Sequence, residues 1–305
     1  MILNILLDIN ILLMTFEKKH CSPRKDKLES SCLSKELLIS IAKVINQNYD
    51  GKIKIKKRSK KKLYEDISKK LKSPDCNTES CWRKIDKIMS KLSEKERKEY
   101  KNSFRPFQPG KWEDKPNTWL NTNDINRVME QYENKYPNFK YYPATPIDFN
   151  LKYGDTCMVS DLCTIDLDKL KDKKSLGLVF NTDPHHKSGQ HWFSVYVDLV
   201  GVNLPKPTIY YFDSATSVKS IEELPIQILN LIEKLQKQSN HMFDIYYNDI
   251  KHQYGDTECG VYCLHFLTVM LKGISFEKYI NRNLTDKKIE KYRKIFFIDN
   301  NNIII

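Results

Sequence analysis

An α+β fold is the class this sequence predicts, and three observations carry the prediction. The first third is basic and helical in pattern. The middle holds short β-branched and aromatic runs separated by turn residues. Residues 259–272 form a long, almost wholly apolar segment that suits a buried helix. The 305 residues suffice for one large domain or two small ones. An apolar content of 40%, with 11% aromatic, excludes a chain disordered throughout. The 30% charged residues and nine glycines exclude collagen-like and Gly-rich classes.

Each element follows in chain order. The opening run, Met1 to Phe16, is apolar but broken by Asn4, Asp8 and Asn10, and it lacks a basic start. It reads as a buried helix, a strand or a disordered leader rather than a secretory signal. No stretch reaches the roughly 18–20 apolar residues of a transmembrane helix, so no membrane span is expected. Residues 51–100 hold 18 Lys/Arg against 8 Asp/Glu, which concentrates most of the net charge of +12 in one sixth of the chain. Lys52 to Lys62 is the densest block. Residues 84–101 carry Ile85, Ile88, Met89 and Leu92 at helical spacing. Pro106, Pro109 and Pro116 then mark an irregular connection, which divides the chain into a basic extension, 1–105, and a second domain, 106–305.

Beyond that boundary, residues 119–135 read as a capped helix with Ile125, Val128, Met129 and Tyr132 on one face. Residues 176–181, 191–199, 208–213 and 243–247 read as strands. Residues 220–237 look helical with Pro225 near the start, and 285–297 read as a basic amphipathic helix. The eight cysteines are scattered over a long chain without a secretory signal. The expectation is therefore no disulfide framework and a reducing compartment. Cys76 and Cys81 have no second Cys/His pair at metal spacing nearby, so neither a metal nor a cofactor is expected.

Four residues form a set with chemical meaning. Cys259 opens the most apolar helix, His191 opens a strand, Asp213 ends a later strand, and Gln253 lies six residues before Cys259. A thiolate is the nucleophilic form of cysteine, and a helix N-terminus and a neighbouring imidazolium both favour it. His191 would be that neighbour and would protonate the leaving amine. Asp213 would hold the imidazole in one tautomer. Gln253 and the Cys259 backbone N–H would donate to the developing oxyanion. Each residue has an ordinary reading alone: Cys259 as a small buried side chain, His191-Trp192 as strand packing, Asp213 as a turn former. Cys263, one turn deeper, reads as core. His185, His186, His252 and His265 have no comparable context.

Read jointly, HWFSVYVD, YYFDSATS and QYGDTECGVYCLHF resemble the cysteine peptidases of the SUMO-protease/adenain clan. That clan takes in SUMO-specific proteases, adenovirus protease and the polyprotein-processing proteases of large DNA viruses, of the African swine fever virus type. The upstream WLNTNDINRVMEQY resembles the clan's entry to its catalytic domain, so the likeness covers roughly residues 115–275. It implies a papain-like α+β core with the cysteine on a central helix and the histidine and aspartate on the sheet. It also implies that Trp119 and Trp192 wall a narrow tunnel for a Gly-Gly backbone, since flat aromatic walls leave no space for a Cβ.

The segments around Cys32 and Cys81-Trp82 are similar to leader segments of giant-virus proteases, and Lys, Ile and Asn usage suits an A/T-rich genome. The expected activity is therefore a cysteine endopeptidase cleaving after Gly-Gly-type sites in viral structural polyproteins, in the virion or the host cytoplasm. The first alternative is a SUMO- or ubiquitin-like deconjugating isopeptidase in the nucleus or cytoplasm of a cell. The second is a nucleic-acid-binding protein with an inactive core, for which Lys52–Lys62 supplies phosphate-binding charge. No aromatic residue is interleaved there for base stacking.

Overall fold

A computed structural model of the chain describes residues 20–23, 30–239 and 242–299. The opening run Met1–Phe16 lies outside the described residues. The chain packs as two compact units. One comprises the described residues up to Gly110 together with Lys294–Asp299; the other is Lys111–Arg293.

The first unit is helical. Helix α1, Lys35–Asn48, starts at Ser34, whose side chain accepts from the Leu37 N–H (3.0 Å). It buries Leu37, Leu38, Ile41, Val44 and Ile45 along one stripe. Helix α2, Lys60–Leu71, is capped by Ser59 and buries Leu63, Ile67 and Leu71. The Lys52–Lys62 block feeds α2 through an extended stretch. There Ile53 is buried and Ile55 half-buried, while Lys52, Lys54, Lys56 and Lys57 stand in solvent. The single helix expected over 84–101 is two, α3, Asp86–Met89, and α4, Glu94–Asn102. The apolar period stops at Leu92, and Ser93 forms a capping box with Glu96 that starts a new, mostly polar helix burying Tyr100. Buried Glu79 accepts hydrogen bonds from the Ser31 hydroxyl and the Cys32 N–H (2.6 Å).

The second unit opens with α5, Thr122–Lys135, capped by Asn121 in a reciprocal box with Asp124. Short strands follow: β1, Phe139–Tyr141, and β2, Thr145–Pro146, then a hairpin of β3, Lys152–Tyr153, and β4, Thr156–Cys157. Helix α6, Ser160–Cys163, leads to the main strands β5, Ser175–Asn181, β6, Trp192–Asp198, and β7, Thr208–Phe212. Helix α7, Ile226–Gln238, precedes strand β8, Asp244–Tyr247, and then α8, Cys259–Met270. Two one-turn helices follow, α9, Phe276–Ile280, and α10, Asp286–Glu290.

The sheet order is β1-β5-β6-β7-β8, with β2 also alongside β5; β5, β6 and β7 run antiparallel, and β1, β2 and β8 pair parallel. Every residue of β5, β6 and β7 is buried, which explains why their sequences run apolar without alternation. One face, with Leu178, Phe193, Val195 and Tyr211, packs on α7 through Ile228, Leu231 and Ile232. On the other face Phe212 stacks on Phe266 of α8 (ring centroids 5.0 Å) and meets Tyr279 of α9 edge-on. The mixed sheet with helices on its faces is the α+β architecture expected. Gly177 is required by close approach: a Cβ there would lie 2.5 Å from the Phe139 ring.

Two expectations are corrected. Residues 285–297 do not form one amphipathic helix; α10 ends at Glu290 and a separate one-turn helix spans Arg293–Phe296. Arg293, which opens the second of these, is buried in an ion pair with Glu258. Six of the eight cysteines are paired, as Cys21–Cys32, Cys76–Cys81 and Cys157–Cys163, against the expectation of none. Scatter along the whole chain hid three local loops, whose partners are only 11, 5 and 6 residues apart in sequence. Their Cα atoms stand 5.1, 5.4 and 6.2 Å apart, within bridging range. Oxidised protein unfolded in denaturant is expected to titrate two thiols, Cys259 and Cys263, and the remaining six only after reduction. Eight thiols before reduction would contradict the pairing.

Candidate active site

The antiparallel register of β6 and β7 aligns Ser194 with Phe212, so the residue just before β6 and the residue just after β7 emerge at the same end of the sheet. Those residues are His191 and Asp213. His191 Nε2–H donates to Asp213 Oδ1 at 2.6 Å. The spacing of 22 residues read in the sequence is therefore a product of strand pairing. Asp213 is itself fixed. Its Oδ1 accepts from the Ala215 N–H (2.9 Å), and its backbone N–H donates to Asn248 Oδ1 (2.8 Å). Asn248, fully buried at the end of β8, returns its amide to the carbonyls of Asp213, Thr216 and Ile250 (2.8–3.0 Å).

Cys259 is the first residue of α8, buried, and its thiol meets the His191 side chain. With Nε2 committed to Asp213, Nδ1 is the ring atom left for the sulfur. Burial pulls the His191 pKa down, but the hydrogen bonds and charges of Asp213 and Cys259 outweigh it and push the pKa up to about 10. Cys263, one turn on, is buried, and burial together with the charge at Cys259 pushes its thiol well above the ordinary range. Cys259 thus faces a histidine that favours its ionised form, while Cys263 is held as a neutral core thiol.

Gln253 lies in the loop between β8 and α8 with its amide oriented from both ends. Ser214 Oγ–H donates to Oε1 (2.7 Å), and Nε2 donates to the Gly255 carbonyl (2.9 Å). The Gln253 and His252 N–H groups both donate to the Ser214 carbonyl (2.7 and 3.0 Å). An amide nitrogen has two hydrogens, so one Nε2–H remains for a substrate oxygen. Trp192 is buried, and its indole N–H donates to the Leu120 carbonyl (3.0 Å), which ties β6 to the segment carrying Trp119. Trp119 is 41% exposed and lines an open cleft of about 690 Å³ with Thr118, Thr257 and Glu290.

Sequence reasoning missed the pair at the start of α8. Glu258, the N-cap residue, is buried, and its carboxylate takes three donor contacts from Arg293 (2.8–3.1 Å). Arg293 also donates to the carbonyls of Thr118 and Thr257 (2.8 and 2.9 Å) and stacks over Trp112 (4.5 Å). This pair ties the start of α8 to the Thr118–Trp119 segment and neutralises a carboxylate that would otherwise oppose a thiolate one residue away. The signal available in the sequence was a charged residue placed directly before an apolar helix. The other histidines have separate roles. His265 is pulled down to about 3 by burial, with Lys272 and Arg282 adding to it, and sits 3.1 Å from the Tyr279 hydroxyl.

Among the described residues, two clusters bring metal-type ligands within 4.8 Å: Cys21, Cys32 and Glu79, and Asp148, His185 and His186. In the first the sulfurs are joined to each other. In the second His185 is spent on Asp148 (2.7 Å) and on the Tyr153 hydroxyl (3.3 Å). No described helix is long and apolar enough to cross a membrane.

Residues 135–305 match the signature of the Ulp1 protease family, C-terminal catalytic domain. The chain belongs to this family. It is a cysteine peptidase. A protein of Acanthamoeba polyphaga mimivirus named as a thiol protease is 28% identical over 300 residues, covering 91% of this chain and 92% of its own length. The SUMO-1 cysteine protease of an African swine fever virus isolate is 26% identical over 260 residues, 80% of this chain and 90% of its own. The crystal structure of the African swine fever virus protease has the same fold, with a TM-score of 0.65 at 22% identity, covering 92% of this chain and 96% of that one.

Two outcomes are expected. Iodoacetamide should label Cys259 rapidly and spare Cys263, and Cys263→Ala should keep most of its activity; fast labelling at Cys263 would reverse the assignment. The second concerns pH. A raised His191 pKa means the imidazolium is present at neutral pH and is lost as pH rises through about 10. The alkaline limb of kcat/KM should therefore lie near that value and move to lower pH in Asp213→Asn, which removes the anion. An unmoved limb in the variant would contradict the role of Asp213.

Proposed function

We propose that the chain is an endopeptidase that cleaves after Gly-Gly-type sites in structural polyproteins during maturation of a large DNA virus, in the virion or the viral factory. The observation that carries the chemistry is the His191–Asp213 contact of 2.6 Å beside a helix-start thiol. In this reading the Cys259 thiolate attacks the carbonyl carbon of the second glycine. The carbonyl electrons move to oxygen, and the Gln253 amide and the Cys259 N–H stabilise them. The C–N bond breaks as the His191 imidazolium gives its proton to the leaving amine. The neutral imidazole then takes a proton from water, whose oxygen attacks the thioester; the C–S bond breaks to regenerate the thiolate, and the carboxylic acid product gives its remaining proton to solvent. Asp213 keeps the ring aligned throughout.

Exposed Trp119 and buried Trp192 would form the substrate channel, where glycine passes and a side chain does not. The viral reading is supported by relatives that match across the first, basic unit as well as the catalytic one. The outward lysines of Lys52–Lys57 are its candidate nucleic-acid contact, holding the enzyme near its substrates in a nucleic-acid-rich particle. Removal of a ubiquitin-like modifier from lysine is the second reading. It uses the same atoms and is favoured by the name of the African swine fever virus relative.

The purified chain is expected to cleave a Gly-Gly-X peptide, with Cys259→Ala and His191→Ala both inactive and Gln253→Ala reduced by roughly 10²–10³ in kcat. Retained turnover in Cys259→Ala would refute the mechanism. Faster release of a folded ubiquitin-like modifier than of a polyprotein fragment would favour the second reading. Replacing Lys52, Lys54, Lys56 and Lys57 by Gln should abolish salt-sensitive DNA binding without changing peptide cleavage. DNA binding unchanged by that replacement would remove the nucleic-acid role.

A further inference from the structure

The loop that carries Gln253 has no strand or helix ladder to hold it. Tyr254 is 80% exposed, and Gly255 and Asp256 also face solvent. Yet Gly255 must be fixed, because its carbonyl accepts the Gln253 Nε2–H and so aims the amide. One carboxylate does this. Asp286, at the start of α10, accepts the Tyr254 N–H (3.0 Å) and the Gly255 N–H (2.8 Å) on Oδ2, in the manner of a two-amide anion nest. Its other oxygen, Oδ1, lies 3.1 Å from the hydroxyl of Tyr262, one turn into α8 and within reach of the His252 and Leu284 carbonyls (3.2 and 3.0 Å). The same carboxylate therefore touches both halves of the oxyanion arrangement: the loop that aims Gln253, and the helix whose first N–H is the second donor. The Oδ2 atom would stand 3.5 Å from a Cβ on Gly255, so the loop lies close against it.

We infer that Asp286 is a positioning residue for the oxyanion hole. It does not touch the reacting atoms; it fixes the distance between the Gln253 amide and the start of α8. Misplacement of one donor by about 1 Å is enough to cost up to ~10²-fold in turnover. The inference rests on the oxyanion role proposed above for Gln253.

The test uses the full chain and compares Asp286→Ala, Asp286→Asn and Gln253→Ala with wild type. Three quantities are read: steady-state cleavage of a Gly-Gly-X peptide, inhibition by the matching peptide aldehyde, and the rate of Cys259 alkylation by iodoacetamide. The aldehyde forms a tetrahedral adduct whose oxygen needs the donors, whereas alkylation needs only the thiolate. Asp286→Ala is expected to lower kcat by about ten- to hundredfold, with KM within about twofold, and to weaken the aldehyde in parallel. Alkylation should stay at the wild-type rate, and Asp286→Asn, which keeps one acceptor oxygen, should fall between. Wild-type kcat, a loss confined to KM, or an equal loss of alkylation rate would overturn the proposal. Should Asp286→Ala fail to fold, Asp286→Asn decides alone: reduced kcat and aldehyde affinity with intact alkylation support it, and undiminished kcat refutes it. Undiminished kcat in Gln253→Ala would instead refute the oxyanion reading itself; loss there with none at Asp286 refutes only the positioning role.

Discussion

A largely buried imidazole keeps its positive charge only if an anion is locked beside it, and that constraint organises the catalytic unit. Burial alone would make His191 neutral at physiological pH. Asp213 reverses that outcome, and it does so because its own position is overdetermined: its carboxylate by the Ala215 amide, and its backbone by Asn248, just after the neighbouring strand. The strand order then has a purpose. β6 delivers histidine, β7 delivers aspartate at the matching end, and β8 supplies the asparagine that fixes the aspartate. Helix α8 lies across this face and presents Cys259 with its first turn, where the helix dipole adds to the imidazolium.

The same logic governs the charges that do not react. Glu258 directly precedes Cys259, and a bare carboxylate there would disfavour a thiolate. Arg293 pairs it in a buried, multidentate contact. Such a pair is a weak source of stability but a strong constraint on geometry, since removing either partner leaves a buried charge unpaired. Between Arg293 and Asp286, the stretch after the apolar helix works on both sides of the site.

The sequence made the candidate site residues legible and left their supports hidden, for a physical reason. Cys259, His191 and Asp213 stand at element boundaries, where a helix-start cysteine or a strand-end aspartate is conspicuous beside apolar runs, and Gln253 was found by its spacing from Cys259. The main strands were legible because burial on both faces gives unbroken runs such as residues 176–181. Arg293 and Asp286 lie in a polar, lysine-rich stretch that offers no sign of their distant partners. Nothing local distinguishes an arginine that turns inward from one that does not; its partner Glu258 is 35 residues away. The break within 84–101 was missed although the apolar period stops at Leu92 and the Ser93–Glu96 capping pair marks a new helix start. The disulfides were missed because compartment reasoning outweighed spacing, although two of the three pairs close loops of five and six residues.

The central claim is that His191 rests as an imidazolium between Asp213 and Cys259. The most direct measurement is a ¹⁵N NMR titration of the His191 ring in the resting enzyme and in Cys259→Ala. Both ring nitrogens are predicted to be protonated through neutral pH in the native protein, with deprotonation near pH 10 and at lower pH once the thiol is removed. A neutral ring at pH 8, titrating near the ordinary histidine value of about 6.5 in both proteins, would contradict the account.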